Sequence, residues 1–200
     1  CQSDPMVVPF GGTEPYFGTN PIAFASPRES GDPILFDMAT TVQAWGKILD
    51  ARSKQKAIPD TWAVDAQGEP TTDPFEVAAL LPVAGPKGYG LMMMVDILAG
   101  SLLGLPFGKH VTSMYEDLSQ YRRLGQFHIV INPAYFGDEA QFLRQVSDMV
   151  DELHDIEPAK AFDQVYYPGG IQEEVKKNYA ESGIPVARSI YDYLISDASY

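Results

Sequence analysis

The sequence is poor in cysteine, in histidine and in positive charge, and each shortage excludes something. Cys1 is the only cysteine in 200 residues, so no intrachain disulfide can staple the fold. A lone thiol suits a reducing, cytoplasmic compartment. The three histidines, His110, His128 and His154, are scattered without the spacing of a metal site, and no metal is expected. Lysine and arginine total 14 against 27 acids, a formal net charge of −13. Phosphate backbones are held by clustered cations, so nucleic acid is not an expected partner. Long apolar runs are lacking as well. The longest stretch, 91–107, is broken by Asp96, Gly100, Gly104 and Pro106, so no membrane span is expected. No basic and apolar leader opens the chain. GxGxxG, P-loop, GxSxG and HExxH patterns are all missing, which leaves no generic catalytic signature.

What remains is the composition of a soluble, globular protein, 45% hydrophobic and 20% charged. The length suffices for one ordinary domain or a large piece of a bigger one. A cysteine stands where an initiating methionine is usual, so an amino-terminal portion is expected to be missing.

Residues 1–20 carry Pro5, Pro9, Gly11, Gly12, Pro15 and Gly18 and read as a surface loop. The apolar runs 22–25 and 34–38 flank the turn-forming segment 26–33 and read as two paired strands. Val42, Trp45, Ile48 and Leu49 have helical spacing over 40–51, with Thr40 or Thr41 as the expected cap. Trp62 to Val64 reads as a short strand, 65–69 as a turn, and Asp73 before Pro74 as a helix start. An almost wholly apolar helix follows Lys87. Gln126 to Asn132 alternates and is β-branched, the clearest strand pattern in the chain. A helix over 138–156 shows Phe142, Val146, Met149, Val150 and Leu153 on one stripe, and two further helices are expected near 171–182 and 189–196. The class is mixed α/β, of the α+β kind.

The most informative stretch is Gly85-Pro86-Lys87-Gly88-Tyr89-Gly90, which sets one lysine at the mouth of the apolar helix. An ammonium there is costly to desolvate unless it meets an anion or a bound ligand. Amides left free at a helix start favour negative charge as well. Gly88 and Gly90 leave room for backbone or a ligand to come close. A lysine snorkelling beside a core helix fits equally. Asp37 interrupts an apolar strand end and has two readings: a cap for the helix at 40, or an orienting carboxylate that accepts a bond from a ligand or a histidine. Asp96, within the Met92-Met93-Met94 helix, is expected to pair structurally, and those methionines to fill core. Gly18-Thr19-Asn20 offers a hydroxyl, an amide and open backbone before a strand, suited to a carboxylate or amide ligand or to a polar turn. Ser3 and Asp4 are ambiguous by themselves. His128 is expected to be a hydrogen-bonded structural residue of its strand, and His154 to be solvated.

In combination, these pieces resemble one family. Phe17 to Phe24 (FGTNPIAF), Phe36 to Thr41 (FDMATT), Ala84 to Leu91 (AGPKGYGL) and Tyr166 to Gly169 (YYPG) occur in the order and at spacings similar to the type-2 malate/L-lactate dehydrogenases. The resemblance covers nearly the whole chain, and the stretches 41–47, 58–65 and 125–133 point to one member in particular.

The resemblance implies a family-specific, non-Rossmann fold that binds a nicotinamide cofactor, NAD with NADP as the alternative. It implies hydride transfer from a small 2-hydroxy acid. It assigns cofactor contacts to Ser3, to Asp37, Met38 and Ala39, to Lys87, and to Gly169, Gly170 and Ile171. Many family members have Pro-Gly-Glu in the last of these loops, where this chain has Pro168-Gly169-Gly170. Gly18, Thr19 and Asn20 would lie near substrate. The proton-transferring histidine, with the arginine and serine that grip a substrate carboxylate, would precede residue 1. Residues 1–200 would then be the carboxy-terminal portion of a dehydrogenase, containing most of its cofactor-binding region, and inactive alone. A homodimer or higher homo-oligomer is expected. The competing readings are another acid or imine reductase of the family (malate, L-lactate, diketogulonate) and a non-catalytic dimerisation fragment.

Overall fold

The computed structural model describes residues 1–114 and 119–196 and divides into two compact units. The first comprises 1–24 and 37–131, the second 25–36 and 132–200.

Two strands, β1 (Ile22–Ser26) and β2 (Ile34–Met38), pair as a ribbon, as their apolar runs and intervening turn lead one to expect. Within the first unit, helix α1 (Trp45–Lys54) is followed by β3 (Ala63–Val64), β4 (Ala79–Leu80) and helix α2 (Pro86–Ala99). β3 and β4 are antiparallel, with Ala63 opposite Leu80 and Val64 opposite Ala79. Val7 bridges both Phe17 and Leu80, which draws the amino-terminal segment into this small sheet. The core is Met6, Val7, Phe17, Ile48, Ala51, Ile58, Ala63, Val77, Leu80 and Met92. Each large side chain fully buried there contributes about 1.5–3 kcal/mol.

Four sequence expectations fail here. Residues 1–20 are not a surface loop: Gln2, Asp4, Met6, Val7 and Phe17 are all buried. Only the stretch 9–16, with Pro9, Gly11, Gly12 and Pro15, runs over the surface as expected, and the flanking residues follow a non-repetitive path into the core. Helix α1 starts at Trp45, and its cap Ala44 supplies no side-chain bond. Thr40 and Thr41 are spent elsewhere, on backbone pairing that competes with helix for 40–44. Asp73 accepts the Phe75 amide at 2.8 Å in an isolated turn, and no helix grows from it. Finally, Gln126 to Asn132 is not a strand. Ile129 is 72% and Val130 95% exposed, and no described neighbour pairs with them. Period-two alternation reports a face designed to be covered, and a strand needs a neighbouring edge to exist.

Pro86 at the first position of α2 fits its fixed φ and its missing amide. The helix buries Gly88, Met92, Val95, Asp96 and Ala99 and leaves Met94 and Ile97 exposed, so its apolar girdle exceeds what the first unit covers.

The second unit holds α3 (Glu139–His154), α4 (Gly170–Ser182) and α5 (Arg188–Leu194). Asp138 caps α3 by accepting the Gln141 amide at 3.0 Å. Val146, Ser147 and Val150 face inward, whereas Met149, expected on the same stripe, is exposed. The turn between the ribbon strands docks on α3: the Glu29 amide donates to Leu143 O at 3.2 Å, and the Ser30 amide to Ser147 Oγ at 3.2 Å.

Candidate functional site

Two of the four motif segments are hydrogen-bonded into one ladder within the first unit, and a third starts one residue past its last rung. The Thr19 amide donates to Ser3 Oγ at 2.8 Å, and the two hydroxyl oxygens lie 3.3 Å apart. Thr19 O accepts both from the Thr40 amide at 2.9 Å and from Thr40 Oγ1 at 3.0 Å. Thr40 O accepts the Val83 amide at 2.9 Å, and Thr41 bridges Pro82. Ser3, Thr19, Thr40 and Val83 are therefore successive rungs. Asp37-Met38-Ala39 leads into one rung, and Ala84-Gly85-Pro86-Lys87 leaves another.

Close packing makes this ladder demanding of glycine. A β-carbon on Gly18 would lie 2.2 Å from Ser3 Oγ and 2.3 Å from Ser3 O. A β-carbon on Gly88 would lie 1.9 Å from Val83 O, so the start of α2 is pressed onto the last rung. Gly90 meets nothing within 4 Å, so of the two glycines beside Lys87 only Gly88 serves backbone contact.

Asn20 is the keystone. It is 0% exposed with φ of 33°, a left-handed conformation that asparagine tolerates better than most residues. Its Oδ1 accepts the Ser3 amide at 3.1 Å, while Nδ2 donates to Met92 O at 3.1 Å and to Asp96 Oδ1 at 3.4 Å. Asn20 thus spends its amide on the protein, and of the expected Gly18-Thr19-Asn20 turn only Thr19 keeps partial exposure.

Asp96, 3% exposed, also accepts the Gly108 amide at 3.0 Å, the structural pairing expected of it. Burial pushes its carboxyl up from the ordinary 3.8, against weaker downward pulls from Gly108 and Asn20. A carboxyl raised in the fold contributes its stability below 3.8 and loses it as pH rises through the higher folded value. Asp96→Asn removes that ionisation. Its melting temperature relative to the unaltered chain, measured by calorimetry, is expected to improve as pH rises above 3.8. A difference that is flat with pH contradicts the assignment.

The two groups singled out for ligand chemistry are free. Asp37 and Lys87 are both exposed, and among the described residues neither side chain has a hydrogen-bond or ion-pair partner. This corrects two expectations. The Lys87 ammonium is not held in a desolvated setting, and Asp37 is not the cap of a helix that begins at Trp45. The lysine's position is unfavourable for another reason: a cation in the first turn of α2 opposes the helix dipole by about 0.3–1 kcal/mol. The turn before it is strained too, with Ala84 at φ 50° and Gly85 at φ 59°. Local unfavourable terms converging on an unpaired cation are what an anionic ligand offsets. The exposed ammonium and the hydroxyls of Ser3 and Thr19 can donate to an anion, and the free Asp37 carboxylate can accept from a hydroxyl.

Gly169, Gly170 and Ile171 lie in the second unit, at the start of α4. The Gly170 amide donates to Tyr167 O at 2.9 Å and the Glu173 amide to Gly169 O at 3.0 Å, which closes the turn. Sequence reasoning missed the network around it: Arg28, Tyr167 and Glu173 are hydrogen-bonded together there. An arginine inside a Ser-Pro-Arg-Glu-Ser turn carries no sequence sign of a partner more than a hundred positions away. Burial and the bond to Glu173 raise the Tyr167 hydroxyl above 10.0, while bonds from Lys177 and Tyr167 hold Glu173 below 4.5.

None of the histidines is hydrogen-bonded to the ladder, and only His154 touches the network in the second unit. His110 packs against Phe107, exposed His128 meets Gln126 Oε1 at 3.0 Å outside any strand, and exposed His154 tilts over Tyr167. Among the described residues no cluster of His, Cys, Asp and Glu is fit for a metal, and no helix is long and apolar enough to cross a membrane.

The sequence profile of the malate/L-lactate dehydrogenases matches residues 1–195. A ureidoglycolate dehydrogenase (NAD(+)) of Escherichia coli strain K12 is 62% identical over 200 residues, which is all of this chain and 57% of that protein. Among solved structures, the sulfolactate dehydrogenase of Methanocaldococcus jannaschii superposes with a TM-score of 0.84 at 36% identity, over 96% of this chain and 55% of that one. The malate dehydrogenase of Entamoeba histolytica superposes at 0.86 with 25% identity, over 96% of this chain and 57% of that one. The chain thus spans a little over half the length of the relatives it matches.

Proposed function

Because the chain belongs to the malate/L-lactate dehydrogenase family, we propose that it is the carboxy-terminal part, with most of the cofactor-binding region, of an NAD-dependent dehydrogenase. Its reaction is the oxidation of (S)-ureidoglycolate to oxalurate, a step of allantoin and purine nitrogen breakdown. The observation that carries this reading is the ladder joining Ser3, Thr19, Thr40 and Val83, which gathers the family's motifs around an unpaired lysine. Identity of 62% to a ureidoglycolate dehydrogenase supports the choice of substrate.

In this reading Lys87 binds the anionic part of the cofactor and Asp37, through its free carboxylate, orients the cofactor or the catalytic histidine. Ser3, Met38 and Ala39 line the cofactor through a shape that the ladder fixes, and Thr19 with Gly18 faces the substrate side. Asn20 supports that turn from behind. In the second unit, taken by itself, Gly169, Gly170 and Ile171 offer a turn for further cofactor contact. A bound nicotinamide supplies the hydride acceptor, and the protein contributes orientation and electrostatics. The acid/base histidine belongs to the rest of the polypeptide, a view supported by the absence of any hydrogen bond between His110 or His128 and the ladder among the described residues. Cys1 as the one cysteine, free and exposed, supports a cytoplasmic setting. The exposed Met94 and Ile97 on α2 support assembly as a homodimer or higher homo-oligomer.

A second reading has one observation behind it: two of the solved neighbours are a malate and a sulfolactate dehydrogenase, so another 2-hydroxy acid is the alternative substrate. Steady-state turnover of the full-length enzyme separates the two. With NAD and NADP against a panel of ureidoglycolate, malate, lactate and sulfolactate, kcat/KM is expected to be highest for ureidoglycolate with NAD. A higher value for another acid overturns the assignment. Light scattering on the same preparation is expected to give at least twice the protomer mass, and a monomer overturns the assembly.

A further inference from the structure

In the second unit, three side chains that the proposed chemistry does not use are wired to the turn before α4. Arg28 is an interior cation, with a side chain 10% exposed. Its Nε donates to Asp32 O at 2.6 Å and its Nη2 to the Tyr167 hydroxyl at 3.0 Å, and its guanidinium carbon lies 5.1 Å from the centre of that ring. The Tyr167 hydroxyl donates onward to Glu173 Oε2 at 2.6 Å, and Lys177 donates to Glu173 Oε1 at 2.8 Å. Burying a cation is costly, and one tied to a single tyrosine by two different interactions constrains that tyrosine strongly.

Tyr167 and Glu173 flank Gly169–Ile171 on either side, and both also hold the turn through their backbones. The Leu35 amide donates to Pro168 O at 3.1 Å. Gly169 has φ of 99°, and a β-carbon there would sit 3.1 Å from Leu35 N and O. The turn is therefore gripped at its entry, its exit and one flank. A cavity of about 170 Å³ opens beside Gly170, lined in part by Arg28, Tyr167 and Glu173.

We propose that Arg28 and Tyr167 are positioning residues, which hold the Gly169–Ile171 turn in the conformation that meets the cofactor. The proposal rests on the reading of that turn as a cofactor contact. Binding to a preformed turn avoids the ordering cost that a loose turn carries, so the network acts on cofactor affinity and leaves the chemical step alone.

Tyr167→Phe tests this in the full-length enzyme, because it keeps the ring under the guanidinium and removes only the hydroxyl between Arg28 and Glu173. KM for NAD is expected to rise about fivefold, the worth of one hydrogen bond to a charged network, with kcat changed less than about twofold. Arg28→Ala is expected to raise KM about tenfold or more. Ile171→Asp is the companion variant, since it places a negative charge on the turn's exposed side chain. If Ile171→Asp raises KM while Tyr167→Phe and Arg28→Ala leave it unchanged, the positioning role is overturned and the turn remains a cofactor contact. An unchanged KM in Ile171→Asp overturns both. A fall in kcat equal to the rise in KM for Tyr167→Phe, with an unaltered melting curve, also overturns the proposal.

Discussion

Lys87→Ala is expected to raise the Kd of the full-length enzyme for NAD by about 10- to 100-fold, the loss of one charge-assisted bond to a phosphate. The same substitution is expected to leave thermal stability unchanged or slightly higher. Lys87 has no partner within the described protein, and its charge opposes the dipole of α2. This opposite sign separates a ligand-binding lysine from a structural one, whose loss lowers stability. Lys87→Arg keeps the charge but replaces a compact ammonium with a broad fork, so it should recover only part of the affinity. Isothermal titration with NAD and a melting curve for each variant give both quantities. Unchanged affinity removes Lys87 from the site.

Gly18→Ala is expected to cost on the order of 3 kcal/mol of stability and to impair cofactor binding together with it. The added carbon would meet Ser3 Oγ at 2.2 Å and Ser3 O at 2.3 Å, and neither is the tip of a long side chain able to swing away. The segment carrying Ser3 must retreat. The Thr19 amide then loses Ser3 Oγ, the Ser3 amide loses Asn20 Oδ1, and the keystone asparagine is left partly unsatisfied beside Asp96. Denaturant unfolding monitored by fluorescence gives the cost. A variant as stable as the parent contradicts the close approach of Gly18 to Ser3.

The ribbon strands and the helices α2 and α3 were legible in the sequence, and the candidate site was legible only as residue types. Phosphate-bearing ligands need a cation and open backbone, and the Pro-Lys-Gly sequence at 86–88 advertises both without any knowledge of packing. Asp37 was legible as an unusual carboxylate, although its exposure, and not burial, is what frees it. Thr40 and Val83 were not legible as rungs, because backbone pairing between segments far apart leaves no mark on side-chain pattern. The burial of Gln2, Asp4 and Met6 was hidden in the same way: proline and glycine signal an irregular path, not whether that path runs outside or inside. The error at Gln126–Asn132 has another origin. Alternation there is real, and Phe127, Ile129 and Ile131 do form an apolar set, but pattern alone supplies no partner edge. The bond between Arg28 and Tyr167 lay beyond sequence reasoning, although Tyr167 stands in a motif, because the ribbon turn brings the two together.

In the proposed function the ladder from Ser3 to Val83 presents Lys87 and the Asp37–Ala39 segment to a nicotinamide dinucleotide. The structure of the full-length enzyme with NAD bound measures this directly. A phosphate or ribose oxygen of NAD is expected within hydrogen-bond distance of Lys87 Nζ, with Asp37, Met38 and Ala39 against the same molecule. A well-defined NAD that leaves Lys87 in solvent and touches none of those residues contradicts it.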